Sequence, residues 1–90
     1  MIQDVRTLSK KVAQGTTLGC NEAMQFDWPL VAYCSREGNL SLEGNVLHKY
    51  YLLDGKESVT EEMKVRYVNV VLPLRRYTLM ERIDTIEIQK

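Results

Sequence analysis

Cysteine and histidine are scarce in this sequence, and their scarcity excludes several kinds of site. Cys20, Cys34 and His48 are the only residues of these two types among 90. They cannot supply the two close ligand pairs of a structural zinc site. Two cysteines are also too few for the disulfide framework of a small secreted domain. We therefore expect no metal, no cofactor and a cytoplasmic location, where thiols stay reduced.

Motifs for phosphate binding and for catalysis are also missing. The five glycines form neither a G-x-G-x-x-G nor a G-x-x-x-x-G-K frame. Cys34 and His48 could together make a thiolate nucleophile, but such a pair needs a third group to orient the imidazole, and nothing in the spacing supplies one. The acidic doublet Glu61–Glu62 lies beside a turn and is typical of a solvated face. The sequence thus predicts a protein that is not an enzyme.

The chain has no long apolar run and no net charge. Its longest purely apolar run is five residues, from Val70 to Leu74, whereas a membrane span needs about 20, so we expect no contact with a membrane. Lysine and arginine total 12, as do aspartate and glutamate, which argues against a protein that coats nucleic acid by neutralising phosphates. Apolar residues make up 44% of the chain, as in globular proteins. The length predicts one domain, 1–90.

The first segment carries the pattern of an amphipathic helix. Ile2, Val5, Leu8 and Val12 recur at steps of three or four residues, which places them on one stripe. Gly15 follows where a left-handed residue would end the helix. The stripe predicts a helix that covers a sheet, or alternatively one that binds a partner.

Residues 16–28 predict a connection with a short helix inside it. Asn21 is suited to cap that helix, and Trp28 is biased towards an extended backbone because a proline follows it. Beyond that proline, residues 30–35 (LVAYCS) predict a short strand, and the glycine-containing residues 36–39 (REGN) predict a turn.

A long segment of alternating residues follows. Apolar side chains at even positions across 40–52 predict one long strand that bends at Gly44. The competing interpretation is a short helix between Asn45 and Gly55. Asp54–Gly55 is a strong hairpin signal between two apolar segments.

The segment 59–67 also alternates and predicts another strand. Its apolar face changes parity at 67–68, and we interpret that change as a β-bulge. Residues 78–88 fit a strand by their isoleucine and threonine content and a helix by their capping pattern, so both alternatives stay open.

The stretch VVLPLRRY, residues 70–77, predicts the turn of a hairpin. We expect Leu72 to lie opposite Arg75, with a loop longer than two residues because Pro–Leu suits a primed turn poorly. Arg75 and Arg76 would leave the turn on opposite faces of the strand. The two arginines are therefore interpreted as the solvated rim of a turn, with an anion contact as the alternative.

Together these patterns predict an α+β domain, in which an N-terminal helix packs on a strongly bent antiparallel sheet or an open small barrel of four to five strands. For function, they favour a small non-catalytic binding or regulatory module that acts through protein–protein contact and self-associates as a homo-oligomer. Zero net charge and high apolar content support this interpretation. The residues expected to contact a partner are Trp28, Tyr50 and Tyr51.

The alternative function is the binding of nucleic acid or of another anion. Arginine side chains neutralise phosphates, and tyrosine rings stack on bases. The residues that would form this patch are Arg66, Tyr67, Arg75, Arg76 and Tyr77. The sequence does not name the partner under either hypothesis.

Overall fold

The computed structural model describes residues 2–55 and 57–83, which form four helices and five strands. The helices are α1 (Ile2–Lys11), α2 (Glu22–Gln25), α3 (Trp28–Gly38) and α4 (Glu61–Arg66). The strands are β1 (Thr17–Cys20), β2 (Ser41–Gly44), β3 (Tyr50–Asp54), β4 (Tyr67–Val70) and β5 (Tyr77–Arg82).

The five strands form one sheet in the order β2-β1-β3-β5-β4. β1 runs parallel to β2 and β3, whereas β5 runs antiparallel to β3 and β4. The prediction of an α+β fold, with an N-terminal helix packed on a sheet of up to five strands, is thus confirmed. The sheet is open and mixed rather than antiparallel. Helices connect β1 to β2, and two neighbouring parallel strands require a crossover of this kind.

Successive residues of each strand alternate between the two faces of the sheet, and each face carries its own hydrophobic cluster. The first face is covered by α1 and α3. Its fully buried aliphatic side chains are Val5, Leu8, Leu18, Leu30, Leu52 and Leu79. The second face meets α4 and holds a smaller cluster. The buried members of that cluster are Tyr51, Leu53, Met63, Tyr67 and Met80.

The segment 30–35 is helical, and the prediction of a short strand there is wrong. It belongs to α3, which begins because the Asp27 carboxylate accepts the backbone N–H of Leu30 at 3.4 Å. Trp28 is the first residue of that helix rather than an extended residue. Pro29 lies in the first turn, where its missing N–H costs no hydrogen bond.

Burial also favours a helix at this position. Leu30, Cys34 and Gly38 are buried and lie four residues apart, so one stripe of α3 packs against α1. A Cβ added at Gly38 would lie 2.6 Å from the Cβ of Ser9, so the close approach of the two helices requires glycine. Asn39 follows in the left-handed conformation with a φ of 51°. The turn expected here is therefore the end of a helix.

Residues 16–28 hold more structure than the predicted connection. The short helix is confirmed as α2, since the Asn21 side-chain oxygen accepts the backbone N–H of Met24 at 2.8 Å. The stretch before it forms β1, an interior strand of the sheet. β1 has four residues, too few to show an alternating pattern in the sequence. Only its pairing with the neighbouring strands identifies it as a strand.

The segment 40–52 is neither one long strand nor a helix. β2 ends at Gly44, and Asn45 has a positive φ of 61°, so the chain leaves the sheet before β3 begins at Tyr50. A Cβ added at Gly44 would lie 2.5 Å from the Gln25 side-chain oxygen. The glycine therefore marks a close approach of α2 to the end of β2.

Asp54–Gly55 ends β3 but does not form the predicted hairpin. The antiparallel partner of β3 is β5, with Leu52 opposite Leu79, and the next element along the chain is α4. The open question at 78–88 is answered in part, because β5 is a strand; residues 84–88 lie outside the described residues.

The predicted strand 59–67 is instead α4 followed by the first residue of β4. The Thr60 hydroxyl accepts the backbone N–H of Met63 at 3.2 Å and caps the helix. The change of parity at 67–68 marks the junction of a helix with a strand, and the predicted bulge is therefore wrong. Alternation over a few residues does not distinguish one helical turn from a strand.

The hairpin of β4 and β5 forms as expected, but in a different register. Pairing Leu72 with Arg75 would place Val70 opposite Tyr77. In the structure Val70 lies opposite Leu79, a shift of two residues. The register differs because the connection, 71–76, is six residues long. A shift of two residues keeps each side chain on its expected face of the sheet.

A buried carboxylate joins the first helix to this connection. Asp4 of α1 is 1% exposed. Its carboxylate accepts the backbone N–H groups of Arg75 at 2.9 Å, Arg76 at 2.8 Å and Tyr77 at 3.2 Å. Burial alone would raise the pKa of Asp4, but the three N–H groups outweigh burial and hold that pKa below its ordinary value.

Replacing Asp4 with alanine should lower the free energy of unfolding by about 3 kcal/mol, because three N–H groups lose a charged acceptor. Equilibrium unfolding in urea measures this loss. Gln3→Ala, on the exposed side of the same helical turn, is the matched control and should change stability by less than about 0.5 kcal/mol. Equal effects of the two substitutions would show that the carboxylate does not hold the connection in place.

The contribution of Asp4 should also depend on pH. Its pKa is lower in the folded chain than in the unfolded chain, so the carboxylate stabilises the fold fully above the unfolded pKa of about 3.9. That stabilisation is lost as the pH falls through the folded pKa. The difference in unfolding free energy between the wild type and Asp4→Asn should therefore stay constant from pH 7 to about 5 and shrink below about 4. A difference that grows on acidification would contradict this assignment.

Candidate functional site

The backbone around Arg75 and Arg76 does hold an anion, but that anion is the chain's own Asp4. Three successive N–H groups directed at one carboxylate make a concave anion site of the kind that turns form. An external anion would have to use the arginine side chains. Arg76 Nη2 lies 3.4 Å from Asp54 Oδ2, and its guanidinium carbon lies 5.2 Å from the centre of the Tyr77 ring. Arg76 therefore already has partners within the fold.

The two arginine side chains line an open cleft of about 460 Å³ together with Asp54 and Gly55. The Asp54 carboxylate offsets part of the positive charge in this cleft. An anion that entered would therefore meet a mixed electrostatic environment and an exposed surface, where ion pairs contribute little. This arrangement favours the interpretation of a solvated rim.

The five residues of the predicted nucleic-acid patch do not form one surface. Tyr67 and Tyr77 are each 3% exposed and belong to the clusters on opposite faces of the sheet, so neither ring can stack on a base. Arg66 ends α4, at the opposite end of the β4–β5 hairpin from Arg75 and Arg76. The structure therefore brings together only the two adjacent arginines.

The three predicted partner contacts differ in exposure. Trp28 is 75% exposed, whereas Tyr51 is buried in the second-face cluster, edge-to-face with Tyr67 at 6.3 Å between ring centres. Tyr50 is half-buried on the first face, with the Lys49 ammonium 5.5 Å from its ring centre. Of the three, Trp28 alone presents a large aromatic surface to a partner.

Sequence reasoning missed Phe26, which is 67% exposed and lies two residues before Trp28. Phe26 is the C-cap that follows α2, and its backbone N–H donates to the Ala23 carbonyl at 3.2 Å; Asp27 caps α3. The two caps fix the corner at which the helices meet, so short regular elements hold both aromatic residues at the surface. We call Phe26 and Trp28 the aromatic corner. The sequence FDWP carried a signal for it, since an aspartate cap between two helices leaves its neighbours at a corner.

A second apolar surface lies at the outer edge of the sheet. Val65 in α4, Val68 in β4 and Val71 just after β4 are exposed, and Val71 is 95% exposed. We call these three residues the valine edge. Sequence reasoning assigned Val65 and Val68 to apolar strand faces and so missed this surface. Val68 belongs to the last strand of the sheet, and no described strand lies beyond it.

The two thiols are free and buried in the first-face cluster. Burial, with a smaller contribution from the Glu57 charge, raises the pKa of Cys20 to about 11. Burial, with a smaller contribution from Cys20, raises the pKa of Cys34 to about 11. His48 Nε2 lies 2.6 Å from Glu43 Oε1, and within the described chain no hydrogen bond joins His48 to Cys34. The arrangement does not activate a thiol.

Two further observations concern metal binding and membranes. Across residues 2–55 and 57–83, no three histidine, cysteine, aspartate or glutamate side chains are grouped so that they could hold a metal ion. In the same part of the chain, every helix is too short or too polar to cross a membrane.

Comparison with known proteins gives no match: no family model, no curated protein and no solved structure matches this chain.

Both thiols should react slowly with a thiol-specific reagent while the protein is folded. At pH 8, a thiol with a pKa of about 11 is only about 0.1% thiolate, and burial also blocks the reagent. We expect labelling with Ellman's reagent to be at least about 100-fold slower than in the urea-unfolded chain. Cys20→Ala serves to assign each rate to one thiol. Rapid labelling of Cys34 in the folded chain would indicate an activated nucleophile.

Proposed function

We propose that the protein is a small non-catalytic module that acts through protein–protein contact and self-associates. The observation that carries this proposal is the exposure of large apolar side chains in two separate groups, the aromatic corner and the valine edge. Contiguous exposed apolar groups are typical of surfaces that bind another protein. Zero net charge adds no long-range repulsion between two copies.

The size of the exposed groups supports the proposal. A tryptophan side chain that becomes buried removes roughly 150–200 Å² from water, which contributes about 4 kcal/mol at about 25 cal/mol per Å². Trp28 and Phe26 are both mostly exposed, so the folded monomer gains little of this stabilisation from them. A contact with another protein would recover it.

The chemistry of the described residues supports a non-catalytic role. Both thiols are protonated and buried, and the imidazole of His48 lies against Glu43 rather than beside a nucleophile. Two free thiols in the core also support the proposed cytoplasmic location, because a reducing compartment keeps such thiols unpaired.

Self-association should appear as an increase of the weight-average sedimentation coefficient with protein concentration. We expect the increase between about 10 µM and about 1 mM, since a surface of a few exposed side chains supports a weak oligomer. Sedimentation velocity in the analytical ultracentrifuge measures it. Raised salt should leave the association largely unchanged, because the proposed contacts are apolar. A strict monomer at every concentration would contradict the proposal.

A further inference from the structure

We propose that the outer edge of β4 pairs antiparallel with the same edge of a second copy, about a two-fold axis through Asn69. The pairing would join two five-stranded sheets into one. This inference rests on the proposed self-association and identifies the surface responsible for it.

The two edges of the sheet differ in how they are protected. At the β2 edge, the backbone N–H of Gly44 donates to the Gln25 side-chain oxygen of α2 at 3.2 Å, and a Cβ at Gly44 would lie 3.0 Å from the Glu22 Cα. α2 therefore covers the end of β2 and accepts the N–H of its last residue. At the β4 edge, no described strand lies beyond β4, and α4 takes one backbone group of the strand, because the N–H of Tyr67 donates to the carbonyl of Met63. A second chain can therefore pair with the edge at β4 but meets α2 at β2.

The hydrogen-bond pattern shows which backbone groups face outward. The N–H of Ile83 donates to the carbonyl of Arg66 at 2.7 Å. In an antiparallel pair, residues that exchange hydrogen bonds alternate along the strand, so the backbone of Val68 and Val70 also faces β5. The N–H and carbonyl of Asn69 then point away from β5, outward from the open edge of the sheet. Two copies can exchange two hydrogen bonds through Asn69 alone.

The composition of the strand supports a second copy as the partner. The segment 67–71, YVNVV, carries no charge, so antiparallel self-pairing places no like charges opposite each other. Natural edges are often blocked by lysine or proline within the strand, and here the first such residue downstream is Pro73. Two copies of an uncharged strand can therefore pair without electrostatic repulsion between their side chains.

Asn69 also fixes the register. With the two Asn69 residues opposite each other, Val68 lies opposite Val70 of the second copy, and Tyr67 lies opposite Val71. A shift by two residues in one direction would place Val71 opposite Val65, which belongs to α4 and cannot extend the strand. A shift in the other direction would place Pro73, which lacks an N–H, opposite Tyr67. Only the register with the two Asn69 residues opposite each other pairs all of the segment 67–71 with the same segment of the second copy.

This register continues both faces of the sheet across the axis. Val68 and Val70 share the first face with Leu79, so the valines of two copies would extend that face. Val71 would come beside Tyr67 on the second face, which accounts for the 95% exposure of Val71 in a single copy.

The charges that flank the strand are also compatible with this pairing. Antiparallel pairing brings the helical end of one copy towards the loop end of the other, which has exposed Arg75 and Arg76. The helical end carries two exposed charges of each sign, those of Glu61, Glu62, Lys64 and Arg66. Arg66, the charge nearest the strand, would lie opposite Leu72 of the second copy. No like charges meet directly across the two-fold axis.

A disulfide tests the register. Asn69→Cys should form a covalent dimer on mild oxidation, since Cα atoms of a hydrogen-bonded antiparallel pair lie about 5.5 Å apart, within disulfide range. Val71→Cys is the matched control, because its two copies would lie about 13 Å apart along the strands. Dimer formation should be at least about 10-fold faster for Asn69→Cys. The wild type, with Cys20 and Cys34 buried, should remain monomeric on a non-reducing gel. Equal rates for the two variants would overturn the register.

A charge placed on each apolar surface tests which one is responsible. Val71→Lys should weaken self-association at least about 10-fold in sedimentation velocity, and Trp28→Lys should leave it unchanged. Both side chains are exposed, so the urea midpoint should stay within error for each variant. Loss of association in Trp28→Lys alone would overturn the β4 pairing but leave the proposed function standing. A monomeric wild type would overturn both.

Discussion

The buried carboxylate of Asp4 sets the relation between the first helix and the last hairpin. A buried charge is unfavourable unless it is paired, and here three backbone N–H groups of residues 75–77 supply the pairing. The next residue of α1, Val5, enters the first-face cluster. The same contact closes the connection 71–76 just before β5 begins at Tyr77. One side chain thus links α1 to the connection between β4 and β5.

The occupation of these N–H groups by Asp4 also limits which surfaces can bind a partner. The backbone of the arginine pair is occupied by Asp4, and the side chains form an open rim with Asp54. Within the described part of the chain, the aromatic corner and the valine edge remain exposed. α2 shields one edge of the sheet and leaves β4 as the other edge, which is why the proposed self-association is assigned to Asn69 and its neighbours.

Sequence patterns predicted elements correctly where one residue type decides the local backbone. The three-and-four spacing predicted α1 and the asparagine cap predicted α2, whereas Gly44, which was predicted to bend one long strand, is the residue at which β2 ends. The patterns failed at 30–35 and 59–67. Both segments contain valine or tyrosine at alternating positions, yet both are largely helical because Asp27 and Thr60 supply the N-caps of α3 and α4. In segments this short, periodicity fits either structure, and the cap decides.

The candidate site was predictable only in part. Trp28 was predicted to contact a partner, and the structure shows only that it is exposed. Tyr67 and Tyr77 were assigned to a surface patch, but each fills a cluster on its own face of the sheet. Burial depends on which elements pack above a residue, and the residue's own chemistry does not reveal this.

The amino-acid sequence by itself determined the α+β class, the leading helix, the neutral charge and the lack of metal-binding and phosphate-binding motifs. These properties follow from composition and from residues within a few positions of one another. Only the tertiary structure decided the parallel pairing of β1, the open edge at β4 and the role of Asp4 as the internal anion. Each depends on groups far apart in the chain, 71 positions in the case of Asp4 and Arg75, and such contacts leave no local periodicity to read.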